Sequence, residues 1–243
     1  MSIVHFSIYR YNPENENQKP YFQHYELDIV KHNIIMLLDA LLEICKQDET
    51  LALRKSCKQG VCGSDGMNIN GKNGLACITP IRTLLDAGSG SKAHPIVIKP
   101  FPGMRVIKDL IVDMTQFLKN YAKAQPHLQN DSPVVAKEYL QSPAQRAKLD
   151  GLYECILCGA CSSACPSYWW DPDKFMGPAA LLQACRFILD SRDTKTHERL
   201  KDLNDAHKVF RCRTIMNCVD VCPKGLNPTQ AIAEIRNKML GEE

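Results

Sequence analysis

Two cysteine runs near the C-terminus constrain this chain more than anything else in it. The first, CILCGACSSACP, spans Cys155 to Pro166 and sets Cys155, Cys158, Cys161 and Cys165 in C-x2-C-x2-C-x3-C-P spacing. The second, CRTIMNCVDVCP, spans Cys212 to Pro223 and repeats the pattern with Cys212, Cys218 and Cys222, but has Ile215 where the second cysteine would stand. In paired runs of this kind three closely spaced thiolates wrap one iron–sulfur cluster, and the fourth cysteine reaches across to the other. The exchange assigns Cys155, Cys158, Cys161 and Cys222 to a [4Fe-4S] cluster. It assigns Cys165, Cys212 and Cys218 to a second cluster whose fourth corner falls to Ile215, a side chain that binds no metal. Three thiolates hold three irons, so the spacing predicts a [3Fe-4S] cluster there. Zinc is the alternative occupant, because a lone C-x2-C is a common zinc knuckle. Two paired runs, each followed by proline, favour iron–sulfur.

A third set lies upstream in CKQGVCGSDGMNINGKNGLAC (57–77). Plant-type [2Fe-2S] proteins use C-x4-C-x2-C and a distant cysteine. Cys57 and Cys62 fit, Cys77 supplies the distant thiolate, and Asp65 stands at the third position. A carboxylate carries the same charge as a thiolate and can bind iron through oxygen, although it is a harder ligand. The alternative is that Asp65 is a turn residue and Ser64 or water takes its place. Glycines at 60, 63 and 66 let the backbone turn tightly and aim amides at cluster sulfurs. Cys45 and Cys185 have no neighbouring ligands and read as small buried apolar groups. The seven histidines show no metal spacing.

Composition narrows the classes further. Twelve cysteines without a secretory context point to metal rather than disulfides. A net charge of +3 over 243 residues is too small to argue for nucleic acid. The most apolar helical stretch, IIMLLDALLEI (34–44), contains Asp39 and is short of the roughly 20 residues that span a bilayer. No targeting segment is read at the start, so a cytoplasmic protein is expected.

The chain reads in two halves. Alternating strands at 3–11 and 21–29, separated by polar, proline-containing residues, precede a helix at 34–46. Strands are expected at 67–71, 75–79 and 95–100, making a small mixed sheet with one long helix. Beyond Pro102 the pattern becomes helical, with helices over 108–124 and 177–192 and a mixed, loop-like stretch at 126–141. Ser142-Pro143-Ala144-Gln145 and Asn227-Pro228-Thr229-Gln230 read as helix starts. The boundary falls near 103–107, dividing the chain into 1–105 and 106–243. The fold class is α+β.

Five longer stretches, RYNP (10–13), 56–80, DLIVDM (109–114), 152–170 and 210–232, resemble the iron–sulfur subunit of succinate dehydrogenase (succinate:quinone oxidoreductase, respiratory complex II). Asp65 and the Trp169-Trp170 pair make the chain more similar to bacterial members. The resemblance implies an N-terminal β-grasp [2Fe-2S] domain and a C-terminal helical ferredoxin domain. It implies electrons leaving the FAD of a flavoprotein subunit, passing the [2Fe-2S], [4Fe-4S] and [3Fe-4S] clusters, and reducing a quinone at two membrane-anchor subunits. The chain would then sit peripherally on the cytoplasmic face of the inner membrane, with no spanning segment of its own. It implies a quinone contact for Trp170, whose indole offers a flat apolar wall and one N–H donor; contact with lipid or a partner helix is the alternative. Pro166, Ser167 and Ile215 would line the same pocket. Arg213 stands where enterobacterial members carry histidine; it could donate to a quinone oxygen or a propionate of a partner's haem b, but not shuttle protons near neutral pH. Two further readings remain: a fumarate reductase subunit, which runs the same wire in reverse, and a soluble multi-cluster ferredoxin.

Overall fold

The structure, a computed structural model, describes residues 3–15, 19–133 and 136–241. Positions 16–18 and 134–135, within the two stretches read as polar connections, lie outside the described residues. In chain order the elements are β1 (Ile3–Arg10), β2 (Tyr21–Asp28), α1 (Leu37–Gln47), β3 (Gly66–Ile69), β4 (Lys72–Leu75), a 3-10 turn (Ala76–Ile78), α2 (Ile81–Asp86), β5 (Ile96–Lys99), β6 (Val106–Lys108) and β7 (Ile111–Val112). Helices follow: α3 (Thr115–Lys123), α4 (Pro143–Ala147), α5 (Ala160–Ser163), α6 (Pro166–Trp170), α7 (Gly177–Ile188) and α8 (Thr196–Leu203). A second 3-10 turn (Val209–Arg211) leads to α9 (Asn217–Asp220) and α10 (Pro228–Leu240). The chain forms two compact units, one running up to Asp113 and including Ile156–Ser163, the other comprising Met114–Cys155 and the residues from Ala164 onward.

In the first unit, the five-stranded sheet has the order β2-β1-β5-β3-β4. Its central strands β1 and β5 run parallel and the other neighbouring pairs are antiparallel. This is the β-grasp arrangement. Alternation in β1 turns Val4, Phe6 and Ile8 inward. They share a core with Leu37, Leu38, Leu41 and Ile44 of α1 and with Ile96 and Ile98 of β5. Asp39 starts α1 by accepting from the Met36 amide. Leu37 N donates to Thr79 O, two residues past Cys77, so the start of the helix is tied to the end of the cysteine loop.

Two expectations from periodicity fail here. The strand expected over 75–79 ends at Leu75, the last residue of β4, because the chain turns into 3-10 geometry at Ala76–Ile78 as Cys77 N donates to the Asp65 carboxylate. Residues 108–114 are not helical either. They form the β6–β7 hairpin, turned by Asp109 at φ +44°, and the helix begins only at Thr115. Asp109 is almost fully buried and is held there by Arg10.

The second unit is helical and organised on α7, nearly all of whose residues are buried. It packs against α10, α3 and α8. Its core includes Tyr168, Phe175, Leu181, Leu182, Cys185, Ile232 and Ile235. The two helix starts read from sequence are present. Ser142 Oγ accepts from Gln145 N while Gln145 Oε1 accepts from Ser142 N, and Asn227 Oδ1 accepts from Gln230 N. Helix α8 was not anticipated. No described helix is long and apolar enough to cross a membrane.

Candidate metal centres

The loop from Cys57 to Cys62 is a cradle of main-chain donors. Gln59 N, Val61 N and Cys62 N donate to Cys57 Sγ at 3.4, 3.4 and 3.2 Å. Cys57 N donates to Cys62 Sγ at 3.4 Å, and Gly60 N to Cys77 Sγ at 3.3 Å. Successive amides converging in this way make an anion-binding concavity. Gly60, at φ +67°, has no room for a side chain, since a Cβ would lie 2.9 Å from Ile78 Cγ2. The serine hydroxyl of Ser64 contacts Cys62 Sγ at 3.1 Å. That contact, with the amides of Ser64 and Cys57, lowers the Cys62 thiol to about 6, favouring the thiolate that binds metal.

Asp65 is buried at 3% exposure. Its Oδ2 accepts from Cys77 N, and its carboxylate also bonds the Cys77 thiol. Burial, then the Asp65 carboxylate, pushes Cys77 up to about 12. Three cysteines, one buried carboxylate and five amide-to-sulfur bonds fit a two-iron cluster by donor chemistry.

The stem of this loop is fixed by a network that sequence reasoning missed. Arg10, 6% exposed, donates to Asp109, Asp48, Tyr25 and Thr50 at 2.7–3.1 Å. Asp109 accepts from the amides of Tyr11 and Ala52, and Arg54 donates to Val112 O. Residues 48–54 are thereby pinned just before Cys57. Arg10 and Asp109 stand in two of the stretches noted above, RYNP and DLIVDM, and 99 positions separate them; the signal was present but unpaired.

In the second unit, Cys165, Cys212 and Cys218 lie within electrostatic reach of one another. Burial raises the Cys165 and Cys218 thiols; Cys218 and Cys212 raise Cys165 further, and Cys212 raises Cys218. Amides of Ser167 and Tyr168, at the start of α6, oppose the rise at Cys165, and Thr229 Oγ1 opposes it at Cys218. Asn217 donates to Ala164 O at 3.1 Å, and Arg211 pairs with Asp171 at 2.6 Å, so the two cysteine runs are laced on either side of this trio. Cys222 Sγ accepts from Leu226 N at 3.4 Å. Leu157, Thr214 and Met216 sit at positive φ, an uncommon conformation for such side chains and a cost accepted where the loops turn. Cys158 and Cys161 belong to the first unit, and Cys155 and Cys222 to the second.

The residues expected at a quinone divide by exposure. Trp170 is 68% exposed, and Ile215 and Arg213 are also at the surface. Pro166 is half-buried and Ser167 fully buried. Cys185 is buried in the helical core, whereas Cys45 is half-buried against the sheet core. None of the twelve cysteines forms a disulfide. Among the described residues no three histidine, cysteine or acidic side chains are gathered for a single ion.

Known proteins place the chain. Residues 5–119 match the model of a 2Fe-2S iron-sulfur cluster binding domain, and residues 151–226 that of a 4Fe-4S dicluster domain. The succinate dehydrogenase iron-sulfur subunit of Coxiella burnetii is 56% identical over 237 residues, covering 98% of this chain and 97% of that one. The chain belongs to the succinate dehydrogenase iron–sulfur subunits. Like other members of that family it joins a [2Fe-2S] domain to a [4Fe-4S] dicluster domain. The fold recurs in a chain of the Mycobacterium smegmatis Sdh1 complex in the apo form, with TM-score 0.81, 20% identity, and coverage of 99% and 97%. It recurs less closely in a hypothetical protein from Helicobacter pylori, with TM-score 0.56, 16% identity, and coverage of 98% of this chain and 40% of that one.

Proposed function

We propose that this chain is the electron-transfer subunit of a succinate dehydrogenase, carrying electrons from the FAD of a flavoprotein subunit to a membrane quinone. The observation that carries this reading is the 56% identity over nearly the whole chain to a subunit of that name. The proposed division is a [2Fe-2S] domain over 1–105 and a helical dicluster domain over 106–243; residues up to Asp113 and Ile156–Ser163 pack with the first. Cys57, Cys62, Asp65 and Cys77 hold the [2Fe-2S] cluster; the amide cradle and the contact between Asp65 and Cys77 support this set. Cys155, Cys158, Cys161 and Cys222 hold the [4Fe-4S] cluster. Cys165, Cys212 and Cys218 hold a [3Fe-4S] cluster, supported by the charge effect of Cys218 and Cys212 on Cys165.

When bound, the clusters supply reversible one-electron redox capacity. The chain's own residues set its conditions: amides and Ser64 stabilise negative charge on sulfur, and burial at Cys165 and Cys218 opposes it. Succinate oxidation belongs to the flavoprotein partner. Two anchor subunits hold the chain peripherally at the cytoplasmic face of the inner membrane, and haem b is a candidate cofactor of those subunits. Trp170 forms a wall of the quinone site, with Pro166, Ser167, Ile215 and Arg213 around it. The exposure of Trp170, Ile215 and Arg213 supports a surface facing a partner.

Electron paramagnetic resonance on anaerobically purified complex, oxidised and then reduced stepwise, with iron and sulfide counted on the same sample, tests the assignment. A three-iron signal on oxidation and a two-iron signal on reduction, alongside a reducible cubane, are expected. Zinc in place of iron and sulfide, or cubane signals alone, would overturn it.

A further inference from the structure

Gly63 follows the proposed ligand Cys62 directly and is buried at φ +67°. A Cβ at this position would lie 2.7 Å from Cys158 Cβ and 2.8 Å from Cys158 Cα, closer than side-chain carbons approach one another. The missing side chain is therefore what lets the [2Fe-2S] loop touch a cysteine of the next cluster run. At Gly66 it is the Phe101 ring that an added Cβ would meet, at 2.6 Å, with Cys158 O at an ordinary contact distance of 3.5 Å.

A buried polar chain fastens the same segment. Asn73 on β4 is 4% exposed and donates through Nδ2 to Ala160 O at 3.1 Å and Ser163 Oγ at 2.8 Å. Its Oδ1 accepts from Asn68 Nδ2 at 2.8 Å, and Ser163 Oγ donates to Ala160 O. Asn68 lies on β3 and is itself buried. The hairpin that starts beside Asp65 and ends beside Cys77 thus grips the residues following Cys158. Buried amides satisfied on this scale fix a geometry that apolar packing alone leaves loose.

We propose that electrons cross from the [2Fe-2S] loop to the [4Fe-4S] run through the Gly63–Cys158 contact, and that Asn68, Asn73 and Ser163 are positioning residues that hold it closed. The inference rests on the electron-transfer reading above. The transfer moves one electron, oxidising the two-iron donor by one and reducing the cubane acceptor by one, with no bond formed or broken and no proton required. Electronic coupling decays steeply with separation, and more steeply across a gap than through touching atoms. A methyl group between Cys62 and Cys158 therefore weakens the crossing without altering any ligand.

The test uses the assembled complex carrying the full chain with Gly63→Ala, Ser163→Ala or Gly88→Ala. Gly88 is the control: it has φ +84° and nothing within 4 Å of an added Cβ, so its substitution imposes backbone strain alone. Iron and sulfide are counted, microwave power saturation of the [2Fe-2S] signal reports its magnetic coupling to the reduced neighbouring cluster, and rapid-freeze samples follow its reoxidation. We expect Gly63→Ala and Ser163→Ala to keep cluster content but lose part of the relaxation enhancement and reoxidise more slowly, with Gly88→Ala matching the parent. Parent-like relaxation and reoxidation in a fully loaded Gly63→Ala complex overturns the proposal, as does an equal loss in Gly88→Ala. If Gly63→Ala does not load its cluster, Ser163→Ala decides: parent-like behaviour there overturns the proposal. A parent complex lacking either cluster signal overturns the functional reading itself, and is recognised before any variant is compared.

Discussion

Arg10 holds its charge inside the protein, between Asp48 and Asp109. Truncating one partner of a buried pair strands the others. Arg10→Ala is expected to cost about 3–5 kcal/mol, read as a fall in the thermal midpoint, and a loss under about 1 kcal/mol would mean water replaces the guanidinium. Asp48 gives the network a pH dependence. Burial would raise its carboxyl, but hydrogen bonds from Thr50, Tyr25 and Arg10 outweigh that and hold it well below the usual range. A depressed folded value means stability that is complete above the unfolded value of about 4 and drains away as pH falls below it. Melting followed from pH 6 to pH 2 should show that decline below about pH 4, and Asp48→Asn should flatten it. Asp65→Cys should retain a [2Fe-2S] signal with an altered potential, because thiolate replaces a harder oxygen donor; an unaltered spectrum and potential would place Asp65 outside the ligand set. The convergence of amides on Cys57, Cys62 and Cys77 was legible because that spacing is local. The Arg10–Asp109 pair was not, because spacing carries no information about partners 99 residues apart.

At the scale of elements, strands and helices whose apolar period extended over many residues were found near their predicted places, as in β1, α1 and α7. Errors fell where a polar side chain overrides the period. Residues 108–112 carry a helix-like pattern, yet the Arg10–Asp109 bond turns them into a hairpin. Residues 76–78 carry a strand-like pattern, yet the Asp65 carboxylate winds them into a turn at Cys77. Helix α8 has only Leu200 and Leu203 as strong apolar markers, too few for periodicity to register; its buried Arg199 is held by Asp193 and the carbonyls of Ala124, Gln125 and His127. Capping was legible because both halves of the device lie within four residues. Ser142→Ala should therefore cost about 1 kcal/mol, measured by thermal denaturation of the loaded protein, with no change in cluster signals. A change in those signals would show that α4 does more than close its own end.

For the whole molecule, family membership and the sheet-then-helix order were both legible, since long matching stretches and a change of period survive without side-chain detail. The internal division was less so. Ile156–Ser163 lies far along the chain yet belongs with the N-terminal unit, through packing of Ile156 and Cys158 on the sheet core and the grip of Asn73. The identity of the last cluster should be switchable at one position. Ile215→Cys supplies the missing thiolate, and the oxidised three-iron signal is expected to give way to a four-iron cluster of different potential; its persistence at full strength would show that loop geometry rather than ligand count excludes the fourth iron. The loop at Cys57 has a consequence for how such a subunit can diverge. Apart from the Ser64 hydroxyl on Cys62, its charge-stabilising donors are main-chain amides, while the side chains of Lys58, Gln59 and Val61 are exposed. Substitution there can reshape what a partner meets without retuning the voltage of the centre beneath. The loop therefore keeps its electrical setting and its docking face on separate, independently adjustable registers.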